Sequence, residues 1–459
     1  MPKPIKIGNA QGFWGDSVDA PARLVTQQPD LDYLTLDYLA EVSMSILAKQ
    51  YERDPASGYA QDFLDVVRSQ TPVWRSGRKL RLISNAGGLN PKGCIHACIA
   101  VLYQSGCEKI KVGLVSGDNV LPAIRKRSQN RNNIDLFKNL ETNEPIDKVL
   151  GSLVTANAYL GAYPIAEALA SDADIIITSR VADPSLTVAP CIHHFGWSMD
   201  DYNRIAGATI AGHLIECGTQ VTGGISTNWL KLKDPFNIGF PIAEINTDGS
   251  CVITKPNGTG GCVNEQTVKE QLLYEIGDPA RYLSPDATVS FLSLKVQDQG
   301  KDRVYITDAK GEPPPPTYKV SATYRNGFRT SGMLTIFGRD AVMKAYRCGE
   351  AILKRLGQAG YKFEKTWIEC LGSGDVVPGV LQDAIKADLI ETVLRISVSD
   401  LHREAVERFS KELVPLITSG PQGITGYAAG RPQVHEVFGY WPCLIEKQFV
   451  TPKVEIFEI

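Results

Sequence analysis

The sequence of 459 residues has little that would direct it to a membrane, a nucleic acid or an oxidising compartment. No apolar run approaches the roughly 18–20 residues that cross a bilayer. A net charge of −3 provides no basic footprint for nucleic acid. The first residues contain no apolar signal core, so we expect a cytoplasmic protein. Hydrophobic content of 43% and charged content of 22% are ordinary for a globular protein, and the length allows two or three domains.

Common metal and nucleotide motifs are missing as well. The ten cysteines form no Cys-x-x-Cys pair. Cys94 and Cys98 lie on either side of His96, but on a helix they share a face from which His96 points away. We therefore predict buried, unpaired cysteines and no metal site. No Gly-x-Gly-x-x-Gly follows the first strand and no Gly-Lys-Ser/Thr occurs, which excludes standard dinucleotide and P-loop sites; we predict no cofactor.

Strand-like and helix-like segments alternate through the first half of the chain. This alternation predicts parallel strands joined by crossover helices, in a doubly wound, mostly parallel sheet; an irregular βα barrel is the alternative. From about residue 289 short strands follow one another directly, which predicts a smaller α+β domain. We therefore predict an α/β domain over residues 1–280 and an α+β domain over residues 281–459.

Glycines and short polar residues follow several of the predicted strands. Because parallel strands deliver their carboxyl ends to one edge of a sheet, these loops are predicted to line one cleft. Glycine allows a ligand to approach the backbone closely, and backbone amides can hold a phosphate or an oxyanion. Tight turns at strand ends are the alternative explanation. The predicted substrate-binding residues in these loops are Gly12, Asp16, Asn85, Gly87, Gly88 and Asp118.

Two further predicted strands end in polar side chains. Asn157 and Tyr159 follow the first of them, and Arg180 and Asp183 follow the second. Arginine can hold a carboxylate or phosphate through a bidentate fork, so Arg180, Asn157 and Tyr159 are predicted to bind substrate. Asp183 is a candidate acid or base. Alternatively, Asp183 caps the next helix or forms a structural pair with Arg180.

His213 and Glu216 form the second candidate pair, three residues apart between glycines. On a helix this spacing places both side chains on one face. A histidine whose pKa is tuned by a carboxylate is suited to moving protons beside a substrate carbonyl, so both are predicted to be catalytic. Exposed residues at a helix terminus are the alternative. Cys217 is a further candidate, as a nucleophile that requires a lowered pKa.

Several motifs, in order along most of the chain, resemble those of the acyclic terpene utilisation family of AtuA-like proteins. The resemblance implies a metabolic context, the breakdown of branched terpenoid acids through CoA thioesters, but no particular mechanism. The segments that carry it are 8–16, 32–41, 85–91, 157–162, 180–183, 212–218 and 255–261 with 271–275.

Together these features predict an enzyme of small carboxylic acid or acyl-CoA metabolism that uses acid/base chemistry near a carbonyl, of the lyase or hydratase type. A hydrolase of an ester or thioester is one alternative. A non-catalytic subunit or ligand-binding partner of a separate enzyme is another. The expected partners are a small carboxylate or acyl-CoA and further copies of the chain in a homo-oligomer, with neither nucleic acid nor membrane.

Overall fold

The computed structural model describes residues 3–128, 136–379, 389–426 and 430–459. Its contacts divide the chain into two compact units, one of residues up to Thr323 together with Tyr440–Ile459, the other of Tyr324–Gly439. The sequence places a boundary near residue 280 instead. The difference arises because the short strands that follow residue 281 and the last twenty residues all belong to the first unit.

The described residues form both strands and helices throughout. The strands are β1 (Ile5–Asn9), β2 (Tyr33–Leu36), β3 (Arg81–Ser84), β4 (Lys111–Ser116), β5 (Leu153–Ala158), β6 (Ile175–Thr178), β7 (Ile242–Ile245), β8 (Cys251–Thr254), β9 (Tyr282–Leu283), β10 (Thr288–Ser290), β11 (Lys295–Asp298), β12 (Val304–Thr307), β13 (Lys310–Glu312), β14 (Thr317–Phe337), β15 (Lys365–Leu371), β16 (Glu391–Asp400), β17 (Ile424–Thr425), β18 (His435–Glu446) and β19 (Lys453–Glu458). The helices are α1 (Ala20–Gln27), α2 (Glu41–Arg53), α3 (Phe63–Arg75), α4 (Pro91–Gln104), α5 (Leu121–Ser128), α6 (Tyr163–Ala170), α7 (Ser185–Phe195), α8 (Tyr202–Glu216), α9 (Glu265–Leu273), α10 (Ala341–Gln358), α11 (Arg403–Ser410) and α12 (Leu416–Ser419). No helix in these described ranges is both long and apolar enough to span a bilayer.

The first unit is built on a ten-stranded sheet in the order β11-β12-β8-β7-β1-β2-β3-β6-β4-β19. The five strands β1, β2, β3, β6 and β4 are parallel to one another. The strands on either side of this block pair antiparallel. The α/β class is confirmed, and the sheet is mixed rather than mostly parallel. Its strand path has two separate ends, so in the described part of the chain it does not close into the alternative barrel.

Helices cover the sheet because its strands are apolar on both faces. Helices α1 to α4 share one apolar core with Leu34, Leu82 and Ile177. Side chains alternate along a strand, so Ile83 and Ile176 point to the opposite face. Both are fully buried. Helices α6, α7 and α8 contact β4, β1 and β7, respectively, outside the first core.

The strand predicted over 153–156 is present as β5 but lies outside the ten-stranded sheet. It pairs instead with β14. The hydroxyls of Thr155 and Thr323 are 2.7 Å apart, and the amide of Tyr159 donates to the carbonyl of Lys319 at 2.9 Å. Strand β14 therefore provides the partner that β5 lacks in the parallel block. This pairing places Tyr159 beside Lys319.

The second unit has an α+β core of its own. Strands β15, β16, the later part of β14 and β17 pair antiparallel. One apolar cluster joins Ile336, Ile396 and Val398 of these strands to Ile352 of α10 and Phe409 of α11. The strands predicted over 318–324 and 333–337 are one continuous strand, β14. Its intervening residues pair with β16 from residue 328 onward, so the chain has no break there.

A candidate acidic active site in the first unit

A cavity of about 450 Å³ lies in the first unit. Four carboxylate side chains and one lysine line it: Glu41, Asp183, Glu216, Glu275 and Lys319. Much of the remaining wall is apolar or aromatic. Volume and lining of this kind are typical of a small-molecule site with a few converging polar groups. Carboxyl groups outnumber the basic side chains in this lining, so the cavity is acidic. The sequence analysis instead predicted a site that binds an anion.

Two close helix contacts bring the candidate residues to this cavity. A Cβ atom on Gly212 would lie 2.8 Å from the Cα atom of Pro184, so only glycine allows α8 to pack so closely against the start of α7. A Cβ atom on Gly12 would lie 2.5 Å from the carbonyl carbon of Cys217. The loop after β1 therefore packs against the end of α8. Both contacts fix the last turn of α8, which carries His213 and Glu216.

The imidazole of His213 is buried and hydrogen-bonded at both nitrogens. Its Nδ1 atom lies 3.0 Å from Oε1 of Glu216, and its Nε2 atom lies 2.9 Å from the carbonyl oxygen of Gln271. A carboxylate and a carbonyl only accept hydrogen bonds, so the ring donates from both nitrogens as an imidazolium. Burial lowers the pKa of His213, but the hydrogen bond and charge of Glu216 outweigh it and the pKa is raised. The surroundings of His213 therefore favour its protonated form.

One carboxylate oxygen of Glu216 is hydrogen-bonded, and the other has no partner among the described residues. Oε1 accepts from His213, whereas Oε2 is buried without a hydrogen-bond partner among the described residues. The Glu216 backbone carbonyl accepts from Nδ2 of Asn9 at 3.0 Å, which holds the residue in place. A buried carboxylate oxygen without a partner is costly unless a ligand or water meets it. Glu216 thus offers an acceptor at the cavity.

Arg180 lies behind the cavity wall rather than in it. The side chain is 1% exposed and does not contribute to the lining. Its Nη1 atom donates to the carbonyl of Leu39 and, at 3.0 Å, to Oδ1 of Asp183. Its guanidinium stacks 4.2 Å from the centre of the Tyr159 ring. The Nη1 atom is committed to protein groups, whereas Nε has no hydrogen-bond partner among the described residues. The role of Arg180 in substrate binding stays a prediction, and the proposal below does not depend on it.

Asp183 lies at the cavity wall, with 32% of its side chain exposed. Burial raises the pKa of this carboxyl well above its usual range, and the carboxylates of Asp37 and Glu216 add to the rise. The ion pair with Arg180 opposes it without reversing it. Asp183 and Glu216 therefore differ in environment. The pKa of Asp183 is raised, whereas Glu216 pairs one oxygen with the His213 ring and has its other oxygen without a partner.

Asp37, which the sequence analysis did not single out, is buried behind the same wall. Its Oδ1 atom accepts from Nδ2 of Asn85 at 2.6 Å. Burial raises the pKa of Asp37 to about 7, and the charge of Glu216 adds to this, against the effect of Arg180. The predicted substrate-binding residue Asn85 is itself fully buried. Its observed contact is with Asp37.

The other predicted strand-end residues meet at one edge of the sheet but lie beneath the cavity. The Nδ2 atom of Asn157 donates to Oδ2 of Asp118 at 2.7 Å, and the same oxygen accepts from the amide of Arg180. Oδ2 of Asp16 accepts from the amide of Gly12 at 2.8 Å. The contacts of Asp118 hold β5 and the loops after β4 and β6 to each other, whereas the contact of Asp16 lies within the loop after β1. Oδ1 of Asn157 has no hydrogen-bond partner among the described residues, but Asn157 does not line the cavity.

Gly87 and Gly88 also serve packing. A Cβ atom on Gly87 would lie 2.6 Å from the carbonyl oxygen of Thr178, and one on Gly88 would lie 2.4 Å from Leu47. Lys255, in the glycine-rich segment 255–261, donates to the carbonyl of Thr259 within its own loop. None of the three lines the cavity.

Cys217 differs from the prediction of a reactive thiol. Burial raises its pKa, and the neighbouring carboxylate of Glu216 raises it further. The thiol therefore stays protonated at neutral pH, where a nucleophile needs the thiolate. Cys217 is not among the lining residues either. The backbone of Cys217 supports the site, because the loop that contains Gly12 packs against it.

Of the predicted site residues, the cavity wall contains Tyr159, Asp183, His213 and Glu216. Glu41 joins them, since its Oε1 accepts from the Tyr159 hydroxyl at 2.8 Å. Glu41 and Glu275 end two segments that carry the family resemblance, which is the signal that would have identified them. Tyr282 and Lys319 had no such signal, because they lie on strands with no distinctive pattern.

In the described residues, no cluster of histidine, cysteine, aspartate and glutamate is arranged to hold a metal ion.

A family model for acyclic terpene utilisation proteins of the AtuA type matches residues 5–456. The chain belongs to this family. Membership indicates a role in the use of acyclic terpenes. No curated protein and no solved structure matches the chain. The chemistry of this family member must therefore be argued from its own cavity.

The raised pKa of His213 predicts how the stability of the fold depends on pH. A folded-state pKa raised above the ordinary value of about 6.5 means that protonation stabilises the fold. This stabilisation is complete below about pH 6.5 and is lost as the pH rises through the folded-state pKa. The difference in free energy of unfolding between wild type and His213→Gln should be largest near pH 6 and shrink toward alkaline pH. Urea unfolding across this range measures it, and a difference that grows with pH would show that the imidazole is neutral.

Proposed function

We propose that this protein is an acid/base enzyme of the lyase or hydratase type, acting beside the carbonyl of a small branched acid or its thioester. The observation that carries the proposal is the contrast between two carboxyl groups at one cavity. Glu216 pairs one carboxylate oxygen with His213 and has its other oxygen without a partner, whereas the pKa of Asp183 is raised. A carboxyl group with a raised pKa is suited to the role of acid, and a carboxylate with an unpartnered oxygen is suited to the role of base.

In a hydration, the two roles are complementary. The Glu216 carboxylate takes a proton from water as the water oxygen bonds to the β-carbon of an α,β-unsaturated acyl group. Protonated Asp183 gives its proton to the α-carbon, which completes the addition of one water. The reverse steps remove water. His213 is hydrogen-bonded to Glu216 and orients its carboxylate, and is a positioning residue for it.

The shape and lining of the cavity support an acyl group as the part of the substrate that enters. Leu140, Ile276, Leu283 and Leu444 supply apolar surface, with aromatic rings from Tyr159, Tyr282 and Tyr318. Such surface favours a hydrocarbon chain by the hydrophobic effect. The role of the family in acyclic terpene use suits a branched chain in this position.

An assay on a branched α,β-unsaturated acyl thioester tests the proposal. Addition of water removes the conjugated double bond, so absorbance of the enoyl thioester should fall while no free thiol is released. Release of thiol, measured with a thiol reagent, would favour the alternative hydrolase. No change in either signal across a series of chain lengths would favour the alternative of a non-catalytic subunit.

A further inference from the structure

The proposed hydration needs a group that meets the carbonyl oxygen of the substrate. When the water oxygen bonds to the β-carbon, electrons of the double bond move toward the carbonyl, and negative charge develops on its oxygen. The cavity wall presents four carboxyl groups, which disfavour such a charge. A hydrogen-bond donor held in advance at the carbonyl oxygen would stabilise it.

Several donors of the cavity wall are already engaged with protein acceptors. The imidazole of His213 is hydrogen-bonded at both nitrogens. The hydroxyl of Tyr159 donates to Oε1 of Glu41 at 2.8 Å, and the ammonium of Lys319 lies 3.7 Å from the same oxygen. Each of these groups would have to give up a partner before it could meet a substrate.

The hydroxyl of Tyr282 is different, because it makes no hydrogen bond to the residues that the structure describes. Tyr282 lines the cavity. Burial raises the pKa of its phenol well above the ordinary value, and the charges of Glu216, Asp183 and Glu275, all on the same wall, add to the rise. The hydroxyl therefore keeps its proton at neutral pH and can donate it in a hydrogen bond.

The ring of Tyr282 is held in place by aromatic neighbours and by the sheet. Its centre lies 5.6 Å from that of Phe291, edge to face, and 6.2 Å from that of the His213 imidazole. Strand β9 pairs with β10, where Tyr282 lies opposite Val289. The phenol is thus fixed beside the acid/base pair before any ligand arrives, and a preorganised donor needs no rearrangement during the reaction.

We propose that Tyr282 is a further catalytic residue, whose hydroxyl donates a hydrogen bond to the carbonyl oxygen of the substrate and stabilises the enolate. This assignment rests on the proposed function, in which Glu216 and Asp183 act at the β-carbon and the α-carbon. As water adds, the electrons of the carbon–carbon double bond join the α-carbon to the carbonyl carbon, and the carbonyl π electrons move to oxygen. When Asp183 protonates the α-carbon, the carbonyl forms again. Tyr282 keeps its own proton throughout.

A second tyrosine of the wall, Tyr318, lies in different surroundings. Burial raises the pKa of its hydroxyl, and the charge that adds to the rise is that of Asp286, which does not line the cavity. Its ring lies 5.2 Å from the ammonium of Lys447. Tyr318 therefore provides a comparison within the same cavity.

Infrared spectroscopy of a bound carbonyl tests the assignment without any turnover. The probe is the isovaleryl thioester of N-acetylcysteamine with ¹³C at the carbonyl carbon, which has no double bond to hydrate. A hydrogen bond weakens the carbonyl bond, so the ¹³C=O band of the bound probe should lie at lower frequency in the wild type than in Tyr282→Phe. Tyr103→Phe is the matched control. It removes a hydroxyl from an exposed position on α4 and should keep the wild-type frequency.

The rate of hydration gives a second readout. Tyr282→Phe should lower kcat by about 10²–10³-fold, the usual effect of removing one donor to a developing oxyanion. KM should change much less, because this hydrogen bond strengthens as charge develops in the transition state. Tyr103→Phe should stay within about twofold of wild type. Melting curves establish that each variant is folded.

Equal ¹³C=O frequencies in the wild type and Tyr282→Phe would overturn the assignment. A change found in Tyr318→Phe but not in Tyr282→Phe, or failure of the wild type to bind the probe, would overturn it as well. A wild type whose band depends on Tyr282 but that hydrates no enoyl thioester would refute the proposed reaction and leave Tyr282 as the carbonyl donor. Hydration with a band that does not depend on Tyr282 would do the reverse.

Discussion

Glu216→Gln is expected to lower turnover by roughly 10²–10⁴-fold, the usual effect of removing a general base. Glutamine keeps the size of the side chain, and its amide oxygen can still accept from Nδ1 of His213. It cannot take a proton from water. The measurement is the initial rate of loss of enoyl thioester absorbance, beside a melting curve of each purified variant. The melting temperature is expected to fall as well, because the buried imidazole loses its charged partner, so rates are compared at a temperature where every variant is folded.

Glu265→Gln is the matched control for this variant. Glu265 lies on the first turn of α9 and does not line the cavity. The same chemical change there should leave the rate within about twofold of wild type, as expected for a surface substitution. Equal rates for Glu216→Gln and Glu265→Gln would remove Glu216 from the mechanism and leave Asp183 as the remaining candidate.

Arg180→Met is expected to lower the free energy of unfolding by about 1–3 kcal/mol, the cost of leaving buried hydrogen-bond acceptors without their donor. The guanidinium is the cation nearest to two carboxyl groups, those of Asp183 and Asp37, whose interactions with it raise its own pKa. Methionine fills similar space but leaves Asp183 and the Leu39 carbonyl without the donor that Arg180 provides. Urea unfolding at neutral pH measures the loss.

Arg68→Met provides the comparison for Arg180→Met. Arg68 forms an exposed ion pair with Asp65 on α3, and such pairs contribute about 0–1 kcal/mol. If Arg180→Met were as stable as Arg68→Met but bound substrate more weakly, the arginine would act on the substrate, as the sequence suggested. The burial of its side chain predicts the opposite result.

The α/β class and the gathering of strand-end loops were predictable because they depend on local pattern. Alternating strands and helices lead to parallel pairing, and parallel pairing brings Asn85 and Asp118 to the same edge as Arg180. Sequence pattern does not determine how deep a side chain lies. Both loops were expected to face a cleft, whereas Asn85 bonds to Asp37, and Asp118 bonds to Asn157 and to the Arg180 amide; neither residue lines the cavity.

The pairing of His213 with Glu216 was predictable from helical spacing, but the state of the ring was not. That state depends on the carbonyl of Gln271, a residue of α9 that is remote in sequence. Lys319 reaches the cavity through the pairing of β14 with β5, which is remote in sequence. Contacts of this kind are set by tertiary packing, which local propensity does not encode.

The fate of one proton tests the central claim most directly. A branched α,β-unsaturated acyl thioester is hydrated in D₂O, and the product is analysed by mass spectrometry for deuterium bonded to carbon. Wild type should place one deuterium at the α-carbon, and Asp183→Asn should slow this incorporation by about a hundredfold or more. Absence of carbon-bound deuterium with the wild type, or equal incorporation by Asp183→Asn, would contradict the assignment of Asp183 and Glu216 as an acid/base pair beside the carbonyl.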